Sequence, residues 1–113
     1  MTTLFILNDA PYGSERSYNA LRLARALSKR KGEHVRVFLM GDAVACAKAG
    51  QKVPEGYYNA GDMVRMVGGE VALCGTCLDA RGIGAEEIVA GAHRGSLDEL
   101  AAWTAEAEKV LIF

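Results

Sequence analysis

The chain has 113 residues, of which 50% are hydrophobic and 24% charged, and its formal net charge is −1. This length and composition predict one globular domain over residues 1–113. The balanced charge argues against nucleic acid and anionic membranes as partners, and no apolar run approaches the roughly 20 residues of a membrane helix.

The cysteine content and the N-terminus indicate a cellular compartment. Three cysteines are too few for a disulfide framework, and their number is odd. The first residues form an apolar, strand-like run without the basic start of a signal peptide. We therefore expect a cytoplasmic protein with reduced thiols, whose cysteines are catalytic, metal-binding or buried in the core.

The first third of the chain predicts a strand, a helix and a second strand. Thr3 to Leu7 is an apolar run that ends at Asn8 and Asp9, a pattern typical of a buried strand. The following helix has one apolar face, formed by Ala20, Leu23, Ala24 and Leu27. Val35 to Met40 predicts the second strand.

The middle of the chain predicts two short helices. Asp42 is placed to cap a helix from about Ala43 to Ala49, which carries Cys46. A loop from Gly50 to Tyr57 follows and is longer than most connections. A further helix is predicted from about Asn59 to Val67.

The last third predicts three strands and two helices. Glu70 to Leu73 is the third strand, and the stretch from Cys74 to Gly82 reads as a short helix. Ile88 to Ala92 is a weaker strand candidate. The Ser96-Leu97-Asp98-Glu99 run is a capping box for the last helix, and Val110 to Phe113 is the final strand.

This alternation of apolar strands with helices predicts the fold class. It indicates an α/β domain with a doubly wound, mainly parallel five-stranded sheet and helices on both faces. In such sheets ligands bind outside the carboxyl ends of the strands. This rule places Asp9, Asp42, Cys46 and Cys74 at one edge of the sheet.

The most chemically distinctive feature is the pair Cys74 and Cys77 at a predicted strand-to-helix junction, where thiols become reactive. Four interpretations stay open. In the first, Cys74 carries a transferable sulfur, and in the second the pair cycles between dithiol and disulfide. In the third, Cys46 joins the pair and His34 or His93 in a metal site. In the fourth, the cysteines are buried core residues.

Charged residues near the same edge are candidates for contacts with a substrate. Asp9 and Asp42 follow the first two strands as potential polar contacts. Lys48 is placed to attract an anionic sulfur species, and Arg81 to add positive potential near the thiols.

Several stretches resemble the DsrE/DsrF-like family, in particular its YchN-like branch. They are Leu73 to Gly82, Gly41 to Lys48, Gln51 to Asn59, and the ending Ser96 to Phe113. The resemblance implies a small α/β fold, assembly as trimers or hexamers, and a cytoplasmic sulfur relay in which one cysteine carries a persulfide.

The resemblance also implies roles for single residues. The carrier cysteine of the relay members follows the third strand at a fixed spacing from an arginine, and Cys74 and Arg81 match that spacing. Gly75-Thr76-Cys77 stands where those members have small apolar residues, so a second thiol is in reach to resolve a persulfide into a disulfide.

The sequence thus predicts a cytoplasmic homo-oligomer, a trimer or hexamer, with sulfurtransferase-like chemistry. Cys74 would accept sulfur from a donor protein and pass it to an acceptor protein, assisted by Cys77 and Cys46 and without a cofactor or metal. The alternatives are a thiol-disulfide redox protein using Cys74 and Cys77, and a non-catalytic metal-binding or scaffold oligomer.

Overall fold

A computed structural model describes residues 1–113 as a five-stranded sheet with four α-helices and two short 3-10 segments. The strands are β1 (Thr2–Leu7), β2 (His34–Leu39), β3 (Glu70–Cys74), β4 (Ala92–Gly95) and β5 (Lys109–Ile112). The helices are α1 (Arg16–Ser28), α2 (Ala60–Arg65), α3 (Gly75–Ala80) and α4 (Leu97–Glu106), and the 3-10 segments are Gly41–Ala47 and Ala85–Glu87.

All neighbouring strands pair in parallel, in the order β4-β3-β2-β1-β5. The α/β prediction with a parallel five-stranded sheet is therefore confirmed. The register places Cys74, the last residue of β3, beside Gly95, the last residue of β4. The carboxyl ends of these two strands thus meet at the edge that the sequence indicated.

The two faces of the sheet are covered unequally. One face, called the α1 face, packs against α1, α2, α3 and the first 3-10 segment and forms a core cluster of 20 buried residues. The opposite α4 face carries only α4, and its cluster has five buried residues, Leu4, Phe38, Ala72, Leu100 and Trp103. Both faces are apolar because parallel strands are buried on both sides.

The connections that leave β3 and β4 diverge. β3 continues into α3, whose Leu78 is buried in the core of the α1 face. β4 continues into α4, whose Leu100 and Trp103 pack on the other face. Adjacent strands whose outgoing connections separate in this way leave a crevice at their carboxyl ends, where ligands bind in open α/β sheets. Cys74 ends β3 at this point of divergence.

The predicted strand Ile88–Ala92 is wrong, because β4 runs from Ala92 to Gly95. Ile88 instead forms an isolated antiparallel bridge with Lys48, and the Val89 amide donates to the Ala47 carbonyl at 2.8 Å. Ile88 and Val89 pack with the core of the α1 face. By contrast, β4 is an edge strand whose residues are half-buried or exposed. The apolar character of Ile88 and Val89 therefore indicates burial and not a position in the sheet.

The predicted helix Ala43–Ala49 with an Asp42 cap is corrected in two respects. The segment is a 3-10 helix over Gly41–Ala47 whose N-cap, Met40, makes no side-chain cap bond. The Asp42 carboxylate pairs with Arg81 instead. Nε and Nη2 of Arg81 both donate to one oxygen of this carboxylate, Oδ1, in charge-assisted hydrogen bonds.

The side-chain cap predicted for the last helix is present. The Ser96 hydroxyl accepts a hydrogen bond from the Glu99 amide at 3.2 Å, as in the first half of a capping box. The Glu99 carboxylate contacts the His93 ring at 2.8 Å and 3.0 Å. None of the four helices combines the length and apolar character that a membrane crossing requires.

Candidate functional site

Cys74 sits at the junction between β3 and α3, as the sequence predicted. It is the last residue of β3 and the N-cap of α3, and it is half-buried. It packs against the core clusters of both faces. A thiol at the first residues of a helix faces amides that lack intrahelical partners.

Cys77 lies inside the first turn of α3, next to Cys74. The Gly41 amide donates a hydrogen bond to its Sγ at 3.2 Å, and Gly41 adopts a left-handed φ of +56°, which a glycine adopts without strain. Burial and a hydrogen bond to the Cys74 thiol raise the pKa of Cys77, against the opposing effects of the Gly41 amide and the Arg81 charge. The thiol form of Cys77 is therefore favoured over its thiolate.

Arg81 links α3 to the first 3-10 segment. Its guanidinium donates to the Asp42 carboxylate at 2.7 Å and 3.1 Å, and to the Cys77 carbonyl at 3.0 Å. The structure therefore brings Arg81 and Asp42 together with Cys77, which holds the 3-10 segment and its Gly41 amide against the thiol.

A second arginine, Arg94, was missed by the sequence reasoning. It lies near the carboxyl end of β4, and its guanidinium donates to both carboxylate oxygens of Asp79 at 2.9 Å and 2.8 Å. This hydrogen bond is the chief cause of the raised pKa of Arg94, and the nearby Cys74 contributes as a smaller cause. The predicted strand Ile88–Ala92 ends before Arg94, which is why sequence reasoning does not place this arginine at the site. The one signal for it is weak, an arginine directly before a glycine.

Cys46 belongs to a different part of the carboxyl edge. It is fully buried, and its Sγ lies 4.0 Å from the Asp9 carbonyl. Burial raises the pKa of Cys46 to about 12. Its thiol therefore packs in the core of the α1 face, where a partner protein does not reach it.

The remaining predicted contacts also lie apart from the thiol pair. The Asp9 carboxylate accepts from the Ser14 hydroxyl at 2.9 Å and lies 3.6 Å from Arg16. The Lys48 ammonium lies 3.9 Å from the Glu87 carboxylate. Both charged groups therefore pair with side chains other than those of the thiol pair.

The histidines of the proposed metal site are also separated from the cysteines. His34 begins β2, at the amino end of the sheet, and His93 contacts Glu99 and Trp103 on the α4 face. No group of three or more histidine, cysteine or acidic side chains is placed to hold a metal ion. The ligand set that the sequence suggested is therefore not assembled.

The loop before α2 contributes to an aromatic cluster. Tyr57 stacks on Tyr58 at 4.8 Å between ring centroids, and Tyr58 lies 4.4 Å from Tyr18. These rings and residues 13–15 line an open cleft of about 570 Å³. The cysteine pair does not line this cleft, so these tyrosines serve packing rather than the thiol chemistry.

The thiols of Cys74 and Cys46 are expected to differ sharply in their rates of alkylation at neutral pH. Iodoacetamide should modify Cys74 in the folded protein, whereas Cys46 should react only after unfolding, because its burial and its pKa of about 12 disfavour the thiolate. Peptide mapping by mass spectrometry before and after denaturation measures this order. Modification of Cys46 as fast as Cys74 in the folded protein would contradict the placement of Cys46.

Comparisons with known proteins agree with this architecture. A model of the DsrE/DsrF-like family matches residues 1–113. Protein YchN of Escherichia coli strain K12 is 45% identical over 114 residues, which cover 97% of this chain and 97% of that protein. An uncharacterised protein of Methanopyrus kandleri is 36% identical over 110 residues, covering 96% of this chain and 90% of its own length.

Comparisons with solved structures also support the α/β fold. The crystal structure of the ychN protein from Escherichia coli superposes with a TM-score of 0.92 at 44% identity, covering 99% of this chain and 98% of that chain. A protein of unknown function from Methanobacterium thermoautotrophicum has a TM-score of 0.74 at 14% identity, with 99% and 97% coverage. At that identity the second match supports the fold alone.

Proposed function

The chain belongs to the DsrE/DsrF-like family, and on that premise we propose that it is a sulfur-relay protein that carries a persulfide on Cys74. The observation that supports the proposal most directly is the position of Cys74. It is a half-buried thiol at the carboxyl end of β3, beside the carboxyl end of β4, where the connections of the two strands diverge. Cys46 is fully buried, which leaves Cys74 as the more accessible carrier.

The proposed transfer needs no net oxidation and no cofactor. The Cys74 thiolate attacks the outer sulfur of a donor persulfide, R–S–SH, so that a new S–S bond forms at Cys74. The S–S bond of the donor breaks, and the donor leaves as the thiolate R–S⁻. An acceptor thiolate then takes the outer sulfur from Cys74 in the same way, and the Cys74 thiolate is restored.

The test is to load the reduced protein with sulfur. The protein is incubated with a cysteine desulfurase and cysteine, and its intact mass is then measured without a reductant. We expect a gain equal to one sulfur atom, located on the peptide that contains Cys74. A protein that gains no sulfur from this donor or from inorganic polysulfide would contradict the proposal.

A second candidate, a thiol-disulfide redox function, is favoured by one specific contact. The Cys77 thiol interacts with that of Cys74, as expected for a CxxC pair at the start of a helix. In this function Cys74 forms a mixed disulfide with a substrate, and Cys77 resolves it. A reversible Cys74–Cys77 disulfide at cellular redox potentials, with no sulfur loading, would favour this candidate.

We further propose that the protein works in the cytoplasm as a homo-oligomer, a trimer or a hexamer. The reducing cytoplasm keeps both thiols available. On the thinly covered α4 face, the edge strand β5 exposes 38% of Val110 and 70% of Ile112, apolar surface that a second copy would bury. Sedimentation velocity should give a trimer or a hexamer, and a monomer at micromolar concentration would contradict this part of the proposal.

A further inference from the structure

The two arginines near the thiol pair are used differently. All three nitrogens of Arg81 donate to protein acceptors, since Nε and Nη2 bond Asp42 and Nη1 bonds the Cys77 carbonyl. Arg94 uses only Nη1 and Nη2, each for one bond to Asp79. A guanidinium has five N–H donors, so Arg94 retains three that face no protein acceptor.

The position of Arg94 depends on the glycine that follows Cys74. A Cβ atom added at Gly75 would lie 2.9 Å from three guanidinium atoms of Arg94, closer than real contacts allow. The guanidinium therefore lies against the Gly75 backbone, in space that any other residue would fill. This contact brings a permanent positive charge next to the residue that carries the thiol.

Two further contacts fix Arg94 at this place. Strand pairing sets Leu73 beside Arg94 and Cys74 beside Gly95, so β4 delivers the arginine to the same side of the sheet as α3. Asp79, on α3, then holds the guanidinium at both ends. The Arg94 side chain is still 47% exposed, so an incoming anion reaches it.

From this arrangement we propose that Arg94 is the anion-binding residue of the site and that it selects negatively charged sulfur donors for Cys74. The donors it fits are persulfide and polysulfide anions, whose terminal sulfur accepts hydrogen bonds from the free N–H groups of the guanidinium. The Cys74 thiolate attacks that terminal sulfur, its bond to the next sulfur breaks, and the rest of the donor leaves as the thiolate or the shortened polysulfide. Neutral disulfide or trisulfide donors gain nothing from this charge. The substrate class named here depends on the proposed sulfur-relay function, whereas the local anion preference of Cys74 does not.

The anion preference can be measured with two alkylating reagents of equal size and different charge. Iodoacetate is an anion and iodoacetamide is neutral, and both react with the same thiolate. The ratio of their rates at Cys74 therefore reports the local electrostatic potential and cancels any change in the thiolate fraction. Rates are obtained by quenching and mass spectrometry of the peptide that contains Cys74.

Arg94→Gln should lower the iodoacetate-to-iodoacetamide ratio by about threefold at low ionic strength, a modest factor because the charge is half-exposed. Arg94→Lys should restore most of the ratio, because it keeps the charge. The difference between the wild type and Arg94→Gln should shrink as salt is added. Because Arg94→Gln also leaves the Asp79 carboxylate unpaired, the drop is assigned to Arg94 only if it persists in the double variant Arg94→Gln with Asp79→Asn.

Arg81→Gln is the matched control, because it removes an arginine that is likewise paired with one carboxylate but is bonded to Asp42 and the Cys77 carbonyl instead of lying against Gly75. It should change the ratio at Cys74 less than Arg94→Gln does. An unchanged ratio in Arg94→Gln, or an equal drop in Arg81→Gln, would overturn the proposal. Because the assay contains no sulfur donor, a lowered ratio together with failed sulfur loading would keep the anion site and remove the relay function.

Discussion

Replacing Cys74 with serine is expected to abolish sulfur loading of the protein completely. A serine hydroxyl does not exchange sulfur with a persulfide, because it is neither ionised at neutral pH nor able to form an S–S bond. Cys77 should not take over this role, since burial raises its pKa and keeps it in the thiol form. The measurement is the intact mass after incubation with a desulfurase or with inorganic polysulfide.

Two other cysteine variants separate the carrier role from a general loss of thiols. Cys46→Ala should still load sulfur, because Cys46 is fully buried in the core of the α1 face. Cys77→Ser should load sulfur and hold it longer, because the thiol able to release hydrosulfide by forming a Cys74–Cys77 disulfide is gone. Full loading of Cys74→Ser would show that another residue carries the sulfur.

The Gly69→Ala variant should lower the free energy of unfolding by about 3 kcal/mol, since overpacking next to backbone leaves little room to relax. A methyl group at Gly69 would lie 2.1 Å from the Val35 carbonyl oxygen. Gly69 precedes β3, where the register sets Glu70 beside Arg36 of β2. The clash therefore falls on the strand pairing that also places Cys74.

Urea unfolding followed by the fluorescence of the single tryptophan, Trp103, measures this effect. Gly56→Ala is the matched control, because Gly56 has a φ of +81° and nothing within 4 Å of an added Cβ. It should cost roughly 1 kcal/mol, the strain of a left-handed alanine. A Gly69→Ala protein as stable as the Gly56→Ala protein would contradict the close approach to Val35.

Much of this fold was readable from local patterns. β1, β2, β3 and β5 are apolar runs bounded by polar residues or glycine, and buried parallel strands need that composition. Cys74 was placed at the start of a helix because Leu73 ends an apolar run, and the structure puts it at the N-cap of α3. Such features depend on neighbours in sequence, so a single chain displays them.

The predictions that are wrong concern residues whose contacts are with segments distant in the sequence. Asp42 was expected to cap a helix, but it pairs with Arg81, 39 residues away. The apolar Ile88 and Val89 were read as a strand, but they bond the segment around Ala47 and Lys48. Local patterns do not reveal whether an apolar residue is buried in a sheet or beneath a loop.

The sequence by itself determined the α/β class, the parallel sheet and the thiol pair at a carboxyl edge. Only the tertiary structure decided that Cys46 is buried, that Arg81 belongs to Cys77 and Asp42, and that Arg94 lies against Gly75. The reason is physical, because periodicity follows from the geometry of one element, whereas burial and charge partners follow from how separate elements meet. The chemistry of this site depends on such contacts between elements.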